Sequence, residues 1–333
     1  MLNTCTIILA AGKGTRLKSD KPKVMHEILG MPLVYYSIRL AQEISSAIIS
    51  VVGHGRDIVG PYMDTFSIIQ VVQDPPLGTG HAILMTKPVL ETIAEQDIVI
   101  LPGDMPLIST ESLARLVDIY KESNAPIGIL TAELPEPFGY GRIVRDSDNR
   151  VCSIVEEAEA TREQKQIHEI NTGVYIINKE FLLQAVQRLS PDNAKGEFYL
   201  TDIVAMAEYA ASYTAGDYNE AHGINSRSQL AHAAGLMQRR INENIMESGV
   251  TMIDPDTTWI SPTAKVEPDV ELWPHIHVLG NSCIESQTRI MPGAWIRNSR
   301  IGKASFVGHS CIIEDSEVKD GSKLPPFTCL HSS

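Results

Sequence analysis

From residue 260 onward a branched apolar residue returns at almost every sixth position. Ile260, Val266, Leu272, Val278, Ile284, Ile290 and Ile296 keep a strict period of six. The phase slips by one at Ile301, continues through Val307 and Ile313, slips again at Val318 and reaches Leu324. Small, polar, Gly or Pro residues fill the intervals. Helices repeat at 3.6 and ordinary strands at 2, so neither produces this spacing. A period of six with turn residues between specifies a parallel β-helix of three short strands per coil. We read residues 250–333 as a short left-handed parallel β-helix of about four turns. So short a solenoid leaves apolar surface to cover, and a homo-oligomer is expected.

The front of the chain has a different texture. Residues 6–11 form an apolar run that suits a buried strand. Further strands are expected at 47–52, 68–72 and 97–101, with helical patterns at 32–43 and from 82. Alternating strands and helices predict an α/β doubly wound, mostly parallel sheet. Ligands of such sheets lie across the carboxyl ends of the strands. Those ends carry Gly12-Lys13-Gly14-Thr15-Arg16, Gly53-His54-Gly55, Gln73 with Leu77-Gly78-Thr79-Gly80-His81, and Gly103-Asp104. A glycine turn leaving a strand brings several backbone N–H groups to one anion, and Lys13, Arg16 and Lys23 add charge. The spacing is neither a dinucleotide fingerprint nor a P-loop. The same residues also suit a plain strand-to-helix turn with surface cations.

Asp104 at a strand end facing a phosphate site suits a Mg²⁺ ligand, and equally a helix N-cap. Glu156 and Asn171 suit sugar hydroxyls or an amide, or surface turns. Asn225, in Gly223-Ile224-Asn225, suits a neutral oxygen ligand or a turn. Residues 228–248 read as one helix, with Leu230, Ala233, Ala234, Met237, Ile241 and Ile245 on one face, ended by Gly249. The organisation expected is 1–227 as the nucleotide-handling domain, 228–249 as a connecting helix and 250–333 as the β-helix.

A net charge of −13 over 333 residues opposes a general nucleic-acid binder, so the cations of the first loop favour a small anion. The five cysteines are scattered and never spaced Cys-x-x-Cys, which favours free thiols in a reducing cytosol and no zinc site. No stretch approaches the roughly 18 apolar residues of a membrane span, and no signal peptide is read at the start. A cytoplasmic protein without a membrane partner is expected.

The motifs together carry a resemblance. Leu9-Ala10-Ala11-Gly12-Lys13-Gly14-Thr15-Arg16 with Ser19-Asp20-Lys21-Pro22-Lys23-Val24-Met25-His26 resembles the signature of the bacterial N-acetylglucosamine-1-phosphate uridylyltransferases. The likeness continues through Gln73, the Leu77 to His81 block, Gly103-Asp104, Gly139-Tyr140-Gly141-Arg142, Val155-Glu156, Glu169-Ile170-Asn171-Thr172-Gly173, Gly196-Glu197-Phe198-Tyr199-Leu200-Thr201-Asp202 and Gly223-Ile224-Asn225. It covers essentially the whole chain. It implies a cytoplasmic enzyme of peptidoglycan-precursor synthesis that makes UDP-N-acetylglucosamine and pyrophosphate from UTP and N-acetylglucosamine-1-phosphate with Mg²⁺. Leu9, Ala10 and Gly12 then meet the nucleoside through backbone. Gln73, Gly78 and Thr79 read the uracil. Arg16 and Lys23 bind the phosphates and are catalytic. Gly141, Glu156 and Asn171 hold the sugar, and Asp104 and Asn225 hold the metal. A trimer through the β-helix is implied.

The sequence departs from the family pattern at Pro102, where many relatives carry an aromatic residue, and at Glu157-Ala158, where polar or basic residues are usual. Bifunctional relatives also acetylate glucosamine-1-phosphate on a longer β-helix. Here the six-residue period stops near Pro325 to Leu330, and no acetyltransferase activity is expected. The competing readings are a nucleotidyltransferase for another sugar-1-phosphate or for dTTP, and a non-catalytic nucleotide-sensing scaffold subunit.

Overall fold

A computed structural model describes residues 3–331. The chain divides into two compact units, the first of residues 1–26 and 33–226, the second of residues 27–32 and 227–333.

The first unit is built on one twisted sheet. Its strands run, from one edge, Ala211–Thr214, Ile127–Glu133, Glu169–Asn178, Asp97–Pro102, Thr4–Ala10, Ala47–Val52 and Ile69–Val72. All neighbours are parallel except Glu169–Asn178, which is antiparallel to both of its own. A hairpin of Arg142–Arg145 and Val151–Val155 joins through Glu169–Asn178. The expected doubly wound α/β fold is therefore present. Thr4–Ala10 lies between the strand that follows it in the chain and the later strand Asp97–Pro102, so the winding reverses there. In such sheets that reversal opens a crevice beyond the carboxyl ends. The register puts Leu9 opposite both Val51 and Pro102, so Gly12, Gly53 and Gly103 leave the sheet along one line.

Both faces of the central strands are dry. Cys5, Ile7, Ile49, Val51, Ile98 and Ile100 point to one core, and Ile8, Ala10, Val52, Val99 and Leu101 to the other. Strand alternation sorts them, and each fully buried aliphatic side chain contributes about 1.5–3 kcal/mol. Burial pushes the Cys5 thiol up to about 12, as suits an inert core thiol. All five cysteines are free thiols.

Helix Leu33–Ile44 buries Leu33, Val34, Ser37, Ile38, Leu40, Ala41 and Ile44 at helical spacing. Helix Thr110–Ser123 was not apparent from the sequence. Its cap is Ser109, whose Oγ accepts from the Ser112 N–H at 3.0 Å. The helix expected from residue 82 starts earlier, at Thr79, and runs to Leu90. The block from Gly196 to Asp202 runs into a 3₁₀ stretch, Leu200–Met206.

In the second unit three parallel sheets stack the six-residue repeat into a short β-helix. Ile260, Val278, Ile296, Ile313 and Leu330 form one ladder, Leu272, Ile290, Val307 and Leu324 a second, and Val266, Ile284, Ile301 and Val318 the third. The two phase slips leave these ladders intact, because a shortened turn absorbs each one. Ile260 through Ile313 on the first ladder are all fully buried. Helix Arg227–Glu247 belongs to this unit, as does the ribbon Glu27–Ile28 with Met31–Pro32. The helix buries Ala233 and Met237 as the pattern predicts, and also Gln238 and Asn242, which it does not. Gln238 Nε2 donates to the carbonyls of Asp256 (2.9 Å) and Thr258 (2.8 Å), and Asn242 Nδ2 to those of Pro255 and Thr258 (2.8 Å each). Two buried amides thus each donate to carbonyls of the turn at 255–258.

Candidate active site

A cleft of about 480 Å³ opens at the carboxyl ends of the central strands. Leu9, Gly12, Gln73, Gly78, Thr79, Asp104, Glu156 and Asn171 all line it, as do Lys13 and Lys23. Ala10 turns its methyl into the opposite core, so only its backbone faces this side. Gly141, Arg16 and Asn225 do not line the cleft itself, but bonded contacts tie each to residues that do.

Those contacts are clearest around Lys23. Its ammonium pairs with Asp104 Oδ2 and donates to Asn225 Oδ1 at 2.7 Å. Arg16 Nη2 reaches the same Asn225 oxygen, also at 2.7 Å. The Ile224 N–H donates to the Asp104 carbonyl at 3.0 Å, which draws the Gly223 to Asn225 segment beside the strand end. A carboxylate and an amide oxygen therefore converge on one cation position. Hard oxygens in that number suit Mg²⁺, which takes one or two protein oxygens and completes its shell with water and substrate phosphate. Among the described residues no group of three or more His, Cys, Asp or Glu forms a metal cluster.

Gly14 explains how Lys23 gets there. It sits at φ +63, and a Cβ on it would fall 2.5 Å from Lys23 Cβ. The glycine turn is therefore shaped around the lysine stem as well as around any anion. A second close approach joins two motifs distant in sequence. Gly78, at φ +109, would place a Cβ 2.6 Å from the Phe198 carbonyl oxygen. The Phe198 N–H donates to Leu77 O (2.8 Å), and the Gly80 N–H to Phe198 O (2.7 Å). Thr79 Oγ1 accepts from the Leu200 N–H at 3.1 Å. Buried Gln73 then donates through Nε2 to Gly78 O at 2.9 Å and lies 3.2 Å from His81 Nδ1. Its amide is thereby held in one orientation on the cleft wall.

At the other end of the cleft Glu156 Oε1 accepts from Thr201 Oγ1 at 3.2 Å. Burial raises its carboxyl above the ordinary value; the Thr201 bond and Lys195 oppose that, while Asp202 and Glu159 add to it. The Asn171 N–H donates to Gly141 O at 2.9 Å, and a Cβ on Gly141 would lie 3.5 Å from Glu156 Oε1. Gly141, Glu156 and Asn171 thus form one corner. Glu157 points elsewhere, to Arg142 and the Gly139 N–H. Burial works against its charge, but the Gly139 N–H, Arg142 and Lys165 outweigh it and hold the carboxyl below its ordinary value.

Sequence reasoning missed several wall residues. Tyr175, Glu197, Leu200 and Thr201 line the cleft. Tyr140 packs beside Ala132, Leu134, Ile170 and Ala221; burial raises its phenol most, with Asp104 adding and Arg16 opposing. Glu197, Leu200 and Thr201 belong to a motif block recognised in the sequence, which gave no sign that they line the cleft. Pro102 pairs with Leu9 and lines the cleft.

Residues 6–169 match the MobA-like NTP transferase domain. Over 326 residues the chain is 39% identical to the bifunctional protein GlmU of Streptococcus gordonii, covering 96% of this chain and 70% of that one. The GlmU proteins of Syntrophotalea carbinolica (41%, 94% of this chain and 68% of theirs) and Nostoc sp. (40%, 97% and 71%) are similar. A crystal structure of UDP-glucose pyrophosphorylase complexed with UDP-glucose superposes with a TM-score of 0.58 at 19% identity. It covers 72% of this chain and all of the other, a likeness of fold. Identity near 40% across nearly the whole length, on a cleft with these motifs in place, shows that the chain belongs to the GlmU family of nucleotidyltransferases.

Proposed function

We propose that the chain transfers the uridylyl group of UTP to N-acetylglucosamine-1-phosphate and releases pyrophosphate. The convergence of Arg16, Lys23, Asp104 and Asn225 at the cleft mouth supports this most. A sugar phosphate oxygen forms a bond to the α-phosphorus as the bond from that phosphorus to the bridging oxygen breaks. A phosphate monoester is largely dianionic at neutral pH, with a second pKa of about 6. It therefore needs no general base, and the protein's task is to align two polyanions and offset their charge.

Under this reading the backbone of Leu9, Ala10 and Gly12 carries the nucleoside, and Gln73, Gly78 and Thr79 read the uracil edge. Arg16 and Lys23 offset charge on the triphosphate and the incoming phosphate. Gly141, Glu156 and Asn171 receive the sugar ring. Asp104 and Asn225 would hold Mg²⁺, which when bound supplies further positive charge to the triphosphate. Transfer belongs to residues 1–227, with 228–249 as the link along the chain and 250–333 as an assembly element. The assembly proposed is a homotrimer through the β-helix; Trp295 and Ile312, exposed on neighbouring strands of one of its sheets, offer apolar surface for self-association. No acetyltransferase activity is assigned to these 333 residues, and acetyl-CoA-dependent acetylation of glucosamine-1-phosphate would contradict that assignment.

The test is a panel of UTP, dTTP and ATP against N-acetylglucosamine-1-phosphate and glucose-1-phosphate, scored by pyrophosphate release. The highest kcat/KM is expected for UTP with N-acetylglucosamine-1-phosphate. A higher value for another pair would reassign the substrate.

A further inference from the structure

Two consecutive glutamates leave the strand Val151–Val155 and part company. Glu156 faces the cleft. Glu157 turns to the loop that carries Gly141. Its Oε2 accepts from Arg142 Nη2 at 2.7 Å and from the Gly139 N–H at 3.2 Å, while Oε1 lies 3.5 Å from Lys165 Nζ. Arg142 is 2% exposed, and its Nη1 donates to the Tyr140 carbonyl. Among the described residues its Nε has no hydrogen-bond partner, and Glu157 is the carboxylate in ion-pair contact with this buried guanidinium. The same few bonds fasten residues 139, 140 and 142, on either side of Gly141. Glu157 does not line the cleft, so its carboxylate has no direct place in uridylyl transfer.

We propose that Arg142, Glu157 and Lys165 form an ionic latch in which Glu157 is the positioning residue that fixes Gly141 against Glu156 and Asn171, and so sets the affinity for the sugar phosphate. The proposal rests on the assignment of that corner to the sugar. A Glu157 carboxylate clamps one backbone N–H and one guanidinium that frame the corner. Losing it frees the loop at the sugar end and leaves Gln73, Gly78 and the phosphate-binding cations untouched.

The experiment compares Glu157→Ala, Glu157→Gln and Lys165→Ala with the parent protein, varying each substrate in turn. The sugar-1-phosphate used is whichever the parent turns over best, so failure of the N-acetylglucosamine assignment shows in the parent and failure of the latch only in the variants. Glu157→Ala is expected to raise KM for the sugar phosphate about tenfold, with KM for UTP within about twofold and kcat little changed. Glu157→Gln keeps an oxygen that can accept from Arg142 and the Gly139 N–H, and should rescue most of that loss. Lys165→Ala, on a half-exposed side chain, should raise the same KM about twofold. If Glu157→Ala does not fold, the KM split in Lys165→Ala decides the matter. An unchanged sugar-phosphate KM, an equal rise in both KM values, or a fall in kcat alone would overturn the latch.

Discussion

Lys23 is the residue on which the site turns. Its ammonium is shared between Asp104 and Asn225, and Asn225 is shared in turn with Arg16. Removing it takes from Asp104 its paired ammonium, leaves Asn225 to Arg16 alone among the two cations, and removes one positive charge from the site. Lys23→Ala is expected to lower kcat at least tenfold, in the range of about 10²-fold typical of lost electrostatic stabilisation. A folded variant with near-normal steady-state kinetics would remove the lysine from the mechanism. Glu156 illustrates the opposite balance. Its carboxyl is raised by burial, so the folded state binds its proton more tightly than the unfolded chain does. Stability is therefore lost as pH rises from the ordinary carboxylate value through the raised one, and at neutral pH the charge is carried at a cost. Glu156→Gln should accordingly raise the melting temperature at pH 7.5 by about 1–3 °C while weakening sugar binding. The gain should shrink at pH 4, where Glu156 is already protonated. A lower melting temperature at pH 7.5 would show that the Thr201 bond outweighs the burial penalty.

At the scale of elements the site is assembled by close backbone approaches. Gly14 gives Lys23 its path, and Gly78 admits the Phe198 carbonyl. Gly14→Ala combines a positive φ with a clash on Lys23 Cβ. It should cost about 1–2 kcal/mol for the backbone strain alone, measurable as a drop in urea midpoint, and should reduce turnover by displacing Lys23. Normal stability and turnover would mean that the loop relaxes freely. These approaches show why the elements were only partly legible in the sequence. Leu9, Gln73 and Asp104 could be placed because each ends a recognisable apolar run, and strand ends share one edge in a doubly wound sheet. The union of Gly78 with Phe198 could not be read, because it is a backbone contact between segments with no shared pattern. Helix Thr110–Ser123 escaped for another reason. Its buried Leu113, Leu116, Val117 and Tyr120 are diluted by charged residues, and its clearest marker is a single serine cap. Gln238 and Asn242 look solvated by type, yet each is buried to satisfy turn carbonyls.

The whole molecule combines two units whose sequence signals differ in kind. The β-helix was legible almost residue by residue, since a six-residue period admits one ladder assignment and its slips fall where turns shorten. The sheet unit was legible as a class and as a set of strand ends, while nothing in the pattern showed that the strand Glu169–Asn178 runs antiparallel to its neighbours. That strand matters to the account, because it carries Asn171 beside Gly141 and closes one end of the cleft. Chemistry assigned to the molecule therefore rests on one cleft, with Arg16 and Lys23 meeting Asn225 on one side and the half-buried Glu156 carboxylate on the other. The most direct test is pyrophosphate release from UTP and N-acetylglucosamine-1-phosphate by the purified protein, with and without Mg²⁺. The account predicts release that requires both substrates and falls to background when the metal is chelated. Release that is absent with both substrates and Mg²⁺ present, or undiminished by chelation, would contradict it.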